Sequence, residues 1–201
     1  MRSLWTDPTQ PGLDAYRRSK ALAERAAWDY VSTQSTTSLT TILPGAVFGP
    51  LRTCETIGSV AIIQRMLRGM PWVPKIGLRV VDVRDVARAH VLALDAPAAA
   101  GRRFIVVGDL LSMRDVGATL SDRFPELVKA PPRELPDWLV KVAARGNPDL
   151  RGLVPMLGRR YSYSTAAARE VLGWQARPAA ETVIDSARSL IELGCIDAES
   201  G

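Results

Sequence analysis

Residues 14–31 read as one long helix: Asp14 suits an N-cap, and Ala23, Ala26, Ala27, Tyr30 and Val31 recur at three- and four-residue steps on a narrow, small-residue face. A β-branched and apolar run at 38–43, closed by Pro44-Gly45, predicts a buried parallel strand. Residues 56–68 carry Ile57, Val60, Ala61, Ile63, Met66 and Leu67 at helical spacing, and Gly69 marks a stop. A strand at 78–83 and a helix at 85–94 follow, the helix turning Val86, Ala89 and Ala93 inward. Residues 103–107 make another buried strand, and Ser112 with Asp115 forms a capping-box start for the next helix. Further on, 135–144 predicts a short helix and 161–163 a short strand. Ser164 caps a helix to Leu172 that ends at Gly173-Trp174, and a last helix spans 180–193.

These elements alternate, which predicts an α/β fold. The 201 residues, 47% of them hydrophobic, are enough for a sizeable core in one or two small domains. No apolar stretch reaches the roughly 20 residues of a membrane span, and no charged-then-apolar leader opens the chain. A cytoplasmic location without membrane attachment is the expectation. The formal charge of +5 comes from scattered arginines, in pairs such as Arg17-Arg18, Arg102-Arg103 and Arg159-Arg160. A nucleic-acid reader would concentrate its charge on one element, so none is expected as partner. Cys54 and Cys195 match no metal or redox spacing and are expected as ordinary reduced thiols, with neither a disulfide nor a metal.

The most specific chemistry lies in Asp14-Ala-Tyr-Arg-Arg-Ser-Lys20. On a helix, Tyr16 and Lys20 stand at i, i+4 on one face. A fixed ammonium beside a phenol favours its phenolate and makes it a serviceable proton donor near neutrality. By spacing alone, a tyrosine at the start of a helix is more often a packing feature. The lone histidine, His90, reads as a structural group on an amphipathic helix, and Pro44-Gly45 by itself as an ordinary strand-to-loop turn.

Four blocks, in order, carry a family resemblance. Tyr16-Arg-Arg-Ser-Lys20-Ala-Leu-Ala-Glu-Arg-Ala-Ala-Trp28 resembles the active-site helix of the extended short-chain dehydrogenases/reductases, within the NAD-dependent epimerase/dehydratase superfamily and especially its dihydroflavonol-reductase-like branch. Residues 43–50 (LPGAVFGP), 81–90 (VDVRDVARAH) and Leu172-Gly-Trp174 with Arg177-Pro178 resemble three later blocks, and Trp5 a loop tryptophan ahead of the helix. The resemblance implies an incomplete Rossmann-type, doubly wound sheet with a small α/β substrate domain. Residues 14–50 and 85–124 would belong to the nucleotide-binding part, and 51–84 and 125–201 to the substrate part. Strands near 38–43 and 103–107 would share the main sheet, and those near 78–83 and 161–163 a small one.

It further implies Tyr16 as general acid toward a small carbonyl substrate. Lys20 would assist Tyr16 and hold the nicotinamide ribose, and Pro44, Gly45 and Val47 would lie against the carboxamide of NAD or NADP. The 14–31 helix would either pair with its counterpart in a homodimer or pack its alanine face on the sheet. The family's glycine-rich strand–turn–helix for the cofactor pyrophosphate has no match, and no upstream Ser or Thr is assigned, since Ser3, Thr6 and Thr9 lie too close to Tyr16. The chain therefore reads as the C-terminal portion of an extended reductase, from a truncated frame, a misplaced start or a split gene. The expectation is a reductase inactive without the missing half. The alternatives are a non-catalytic remnant or interaction module, and a nucleotide-sugar epimerase or dehydratase. Exposed strand edges would leave the chain marginal in stability, oligomeric or partner-dependent.

Overall fold

The computed structural model describes residues 5–10, 13–55, 58–159 and 162–196. The first helix, α1 (Ala15–Ser32), starts where the sequence places it: Asp14 is extended and its carboxylate accepts the Arg17 amide at 2.7 Å. The chain then returns through 33–40 into β1 (Thr41–Pro44), a strand shorter than the apolar run. Residues 39 and 40 are spent on other bonds, Leu39 O accepting the Gly101 amide and the Thr40 hydroxyl donating to Ala99 O.

Next come β2 (Ala46–Phe48), α2 (Val60–Leu67), β3 (Trp72–Pro74), β4 (Gly77–Asp82) and α3 (Val83–Asp95). Thr56 and Ile57, the expected opening of α2, lie outside the described residues. The chain continues through β5 (Arg103–Val106), β6 (Leu110–Ser112), α4 (Met113–Arg123), β7 (Arg133–Leu135), α5 (Asp137–Ala143), α6 (Pro148–Leu153), α7 (Ala166–Leu172) and α8 (Ala179–Glu192). The capping box forms at Ser112 and Asp115. Ser164 accepts the Ala166 amide one residue ahead of the cap position, and Gly173 ends α7 with φ +61°.

β1 and β5 pair in parallel, Thr41 opposite Arg103 and Pro44 opposite Val106, as the resemblance implies. The small sheet differs from expectation. β4 lies between β2, parallel, and β6, antiparallel, while Ser162 and Tyr163 form no strand and Tyr161 lies outside the described residues. The reason is covalent adjacency. β2 leaves β1 across Gly45, and β6 follows β5 across residues 107–109, so both arrive beside β4 together. A Cβ at Gly45 would strike the Arg79 carbonyl and one at Gly108 the Val80 carbonyl, so glycine at both bends lets β4 close against them.

Two apolar cores result. In one, Ile63 and Met66 of α2, Val116 and Leu120 of α4, and Val183 and Leu190 of α8 bury against Phe48. In the other, Phe104 and Val106 of β5, Ala89 of α3, and Ala168 and Leu172 of α7 enclose Trp174, whose indole donates to Asp85 O at 2.8 Å. Val86 and Ala93 pack against this second core, as their helical spacing requires.

The expectation of free thiols is corrected. Cys54 and Cys195, 141 residues apart in sequence, are joined by a disulfide with a Cα–Cα distance of 5.2 Å. The fold brings the loop after β2 against the turn that ends α8, a proximity with no local signature in the sequence.

Candidate active site

The first two turns of α1 present Tyr16 and Lys20 to solvent on one face, Tyr16 being 71% exposed. Lys20 Nζ sits 5.5 Å from the centroid of the Tyr16 ring. One turn further on the same stripe, Glu24 accepts two bonds from the Arg103 guanidinium at 2.8 and 2.9 Å and one from the Thr41 hydroxyl at 2.9 Å. Arg103's bonds outweigh the cost of partial burial and hold the Glu24 carboxyl below its ordinary range. The Trp5 ring covers Arg103 at 4.0 Å, and Arg25 donates to Thr6 O at 2.9 Å, tying the preceding segment to the helix. At the other end, the Arg17 guanidinium donates to Met156 Sδ at 2.9 Å. Glu24 and Arg103 escaped sequence reasoning, although the four-residue step from Lys20 to Glu24 was a usable signal.

Pro44, Gly45 and Val47 follow in chain order at the end of β1 and the start of β2, with Pro44 exposed and Val47 half-buried. Gly45 N donates to Val106 O at 3.3 Å, extending the β1–β5 pairing by one step. Beyond them the backbone is fixed by α8: the Ser186 hydroxyl accepts the Gly49 amide at 2.6 Å and donates to Thr182 O at 2.8 Å. Ser189 likewise accepts the Leu51 amide at 2.9 Å and donates to Ser186 O at 3.0 Å. Each hydroxyl thus satisfies a helix carbonyl and a loop amide at once. These buried serines were also missed, because sequence shows them only as polar positions in an amphipathic helix.

His90 is exposed on α3, with Nδ1 2.8 Å from Val86 O of its own helix. It borders a cleft with Ser38, Leu39 and Thr40, ahead of β1, and so lies away from the Pro44 end. A more open cleft of about 710 Å³ separates Leu13 and Asp14, at the start of α1, from Lys141, Arg145 and Val154. Among the described residues no cluster of three His, Cys, Asp or Glu side chains could hold a metal ion, and no helix is long and apolar enough to cross a membrane.

Residues 3–108 match the NAD dependent epimerase/dehydratase family. A ketoreductase of Aspergillus niger, azaE, is 32% identical over 202 residues, covering 94% of this chain and 54% of the relative. Among solved structures, gox2253 superposes with a TM-score of 0.78 at 25% identity, over 96% of this chain and 60% of that one. Gre2 of Candida albicans, in complex with NADPH, superposes with a TM-score of 0.68 at 27% identity, over 89% of this chain and 51% of that one. The chain spans about half the length of the curated relatives it matches. Matched motifs, fold and relatives together show that this chain belongs to the NAD-dependent epimerase/dehydratase family, the extended short-chain dehydrogenases/reductases.

Proposed function

We propose that this chain carries the catalytic helix and substrate side of an NAD(P)-dependent reductase acting on a small ketone or aldehyde. The observation that carries the reading is the exposed Tyr16–Lys20 pair on a helix pinned by Glu24 to the start of β1. Tyr16 stands two turns, about 12 Å, along α1 from that pin. Pro44 and Gly45 stand about 10 Å along β1 from it. With the chain reversing through 33–40, both distances run toward the carboxyl ends of β1 and β5, the end at which open α/β sheets bind ligands.

The residues present suit the nicotinamide end of the cofactor. Lys20 offers three donors and forms no ion pair among the described residues, and Pro44 ends its strand exposed and without an N–H. The nicotinamide supplies hydride when bound. Tyr16 Oη gives its proton to the substrate oxygen, Lys20 favours the resulting phenolate and binds ribose hydroxyls, and the backbone from Pro44 to Val47 lies against the carboxamide. Residues 14–50 and 85–124 serve the nucleotide side, and 51–84 and 125–201 the substrate side. The packing crosses these bounds in two places: α4 shares a core with α2 and α8, and α7 one with β5. The α1 helix is the surface for a second copy, since none of its residues is buried within the chain.

The test is a chain extended upstream to supply a pyrophosphate-binding turn. There Tyr16→Phe lowers kcat by about 10²–10⁴-fold while leaving NADPH affinity nearly unchanged. Unaltered turnover in that variant would remove Tyr16 from the mechanism. A second reading is a non-catalytic module that keeps this fold without cofactor chemistry. It predicts no nicotinamide binding by this chain alone, and saturable NADPH binding measured by fluorescence would refute it. Epimerase chemistry finds less support, since azaE is by name a ketoreductase.

A further inference from the structure

The segment from Pro50 to Glu55 carries Arg52, Thr53, Cys54 and Glu55 on the surface and leads from the Pro44–Gly49 stretch toward α2. Among the described residues, α8 and the turn after it tie down the stretch from Gly49 onward: Ser186 to Gly49, Ser189 to Leu51, and the Cys195 sulfur to Cys54. Cys195 is itself a junction. Its amide donates to Leu190 O at 2.9 Å, and its carbonyl accepts Gln64 Nε2 at 3.1 Å and an Arg68 guanidinium nitrogen at 3.2 Å, both from α2. Cys195 is 5% exposed, whereas Cys54 is open to solvent.

We infer that Cys54–Cys195 is a redox-reversible clasp on the loop between β2 and α2. A thiolate of a dithiol reductant attacks the accessible Cys54 sulfur. The disulfide breaks, and Cys195 leaves as thiolate and takes a proton. The second reductant thiol then attacks the mixed disulfide and releases the Cys54 thiol. Two electrons and two protons enter the chain, and the reductant departs as its own disulfide. Reduction leaves Cys195 seated, because its backbone bonds to α2 survive. Among the described residues the loop then keeps its two serine ties and the packing of Leu51 on the core, and the Cys54 sulfur, 3.6 Å from Leu193 O, gains a thiol hydrogen with which to donate weakly to it. Residues 52–55 are therefore the part set free. That this loop adjoins the substrate rests on the reductase reading above; the clasp itself does not.

The clasp is tested on the 201-residue chain, with no cofactor. After treatment with oxidised glutathione, denaturation and iodoacetamide, the intact mass shows no added alkyl group, and after dithiothreitol it shows two. Trypsin cleaves after Arg52 about tenfold faster in the reduced protein, because cleavage follows the population of the opened loop. Cys54→Ser is cut at the fast rate with or without reductant, and the two wild-type rates decide the matter if that variant folds poorly. Two alkylated cysteines after oxidised glutathione would overturn the clasp, as would an Arg52 cleavage rate indifferent to reductant. None of these readouts involves nicotinamide or turnover, so their failure leaves the reductase reading untouched.

Discussion

Asp82 is 1% exposed and remains charged in the fold. Burial alone would raise its pKa, but the Arg84 side chain and amide bond it at 2.7 to 2.8 Å, and Arg177 adds charge at 3.6 Å. The net effect holds the carboxyl below its ordinary value, as Arg103 does for Glu24. A depressed carboxylate stabilises the fold above the unfolded pKa and loses that contribution as pH falls through the folded one. Thermal stability should therefore be level from pH 5 to 8, with respect to these groups, and fall below about pH 4. Asp82→Asn keeps a competent helix cap but leaves Arg84 and Arg177 partly uncompensated, costing about 1–3 kcal/mol at neutral pH. The gap between variant and wild type should narrow progressively as pH falls below the ordinary carboxylate range, as followed by circular dichroism melts. A gap that stays constant down to the acid unfolding limit would show that the Asp82 charge is not its source. The motif around Asp82 was legible from the sequence through resemblance, but its partners Arg177 and Asp185 lie across the chain and emerge only from packing.

At the level of elements, α4 and α8 pack with α2 around one apolar core. Gly117 sits inside α4, where alanine would ordinarily gain about 1 kcal/mol in helix propensity. Here a Cβ would overlap the Pro132 ring, so Gly117→Ala should instead destabilise by about 1–3 kcal/mol in urea unfolding. A neutral or stabilising result would mean that Pro132 yields without cost. On α8, Ser186→Ala deprives the buried Gly49 amide of its acceptor and should cost about 1–3 kcal/mol, with faster amide exchange at Gly49. Caps and stops were readable because they act over four residues or fewer: Asp14, the Ser112–Asp115 box and Gly173 all stand where the sequence puts them. Strand pairing was not readable to the same degree. An apolar run shows that a strand is buried, without showing which neighbour buries it.

Across the whole molecule, burial is uneven. α8 buries seven of its residues and α1 buries none, α1 being held mainly by polar contacts through Glu24, Arg17 and Arg25. Neither outer edge of the β1–β5 pair carries another strand among the described residues. Hydrogen exchange should therefore find α1 opening about 100-fold more readily than α8, because opening free energy follows buried contacts. Equal protection of α1 in dilute solution would mean that something else covers it, and sedimentation over a concentration series would identify self-association as the cause. A sharp, monomeric unfolding transition in calorimetry would count against the expectation of a marginal or partner-dependent chain.

By itself the sequence determined the α/β alternation, the helix ends and the Tyr16–Lys20 face, because each follows from side chains within a turn or two of one another. Only the tertiary structure decided that β4 lies between β2 and β6, that Glu24 meets Arg103, that Ser186 holds Gly49, and that Cys54 reaches Cys195. These pairs join residues 31 to 141 positions apart, and their meeting depends on how the two cores close and where short connections allow the strands to lie.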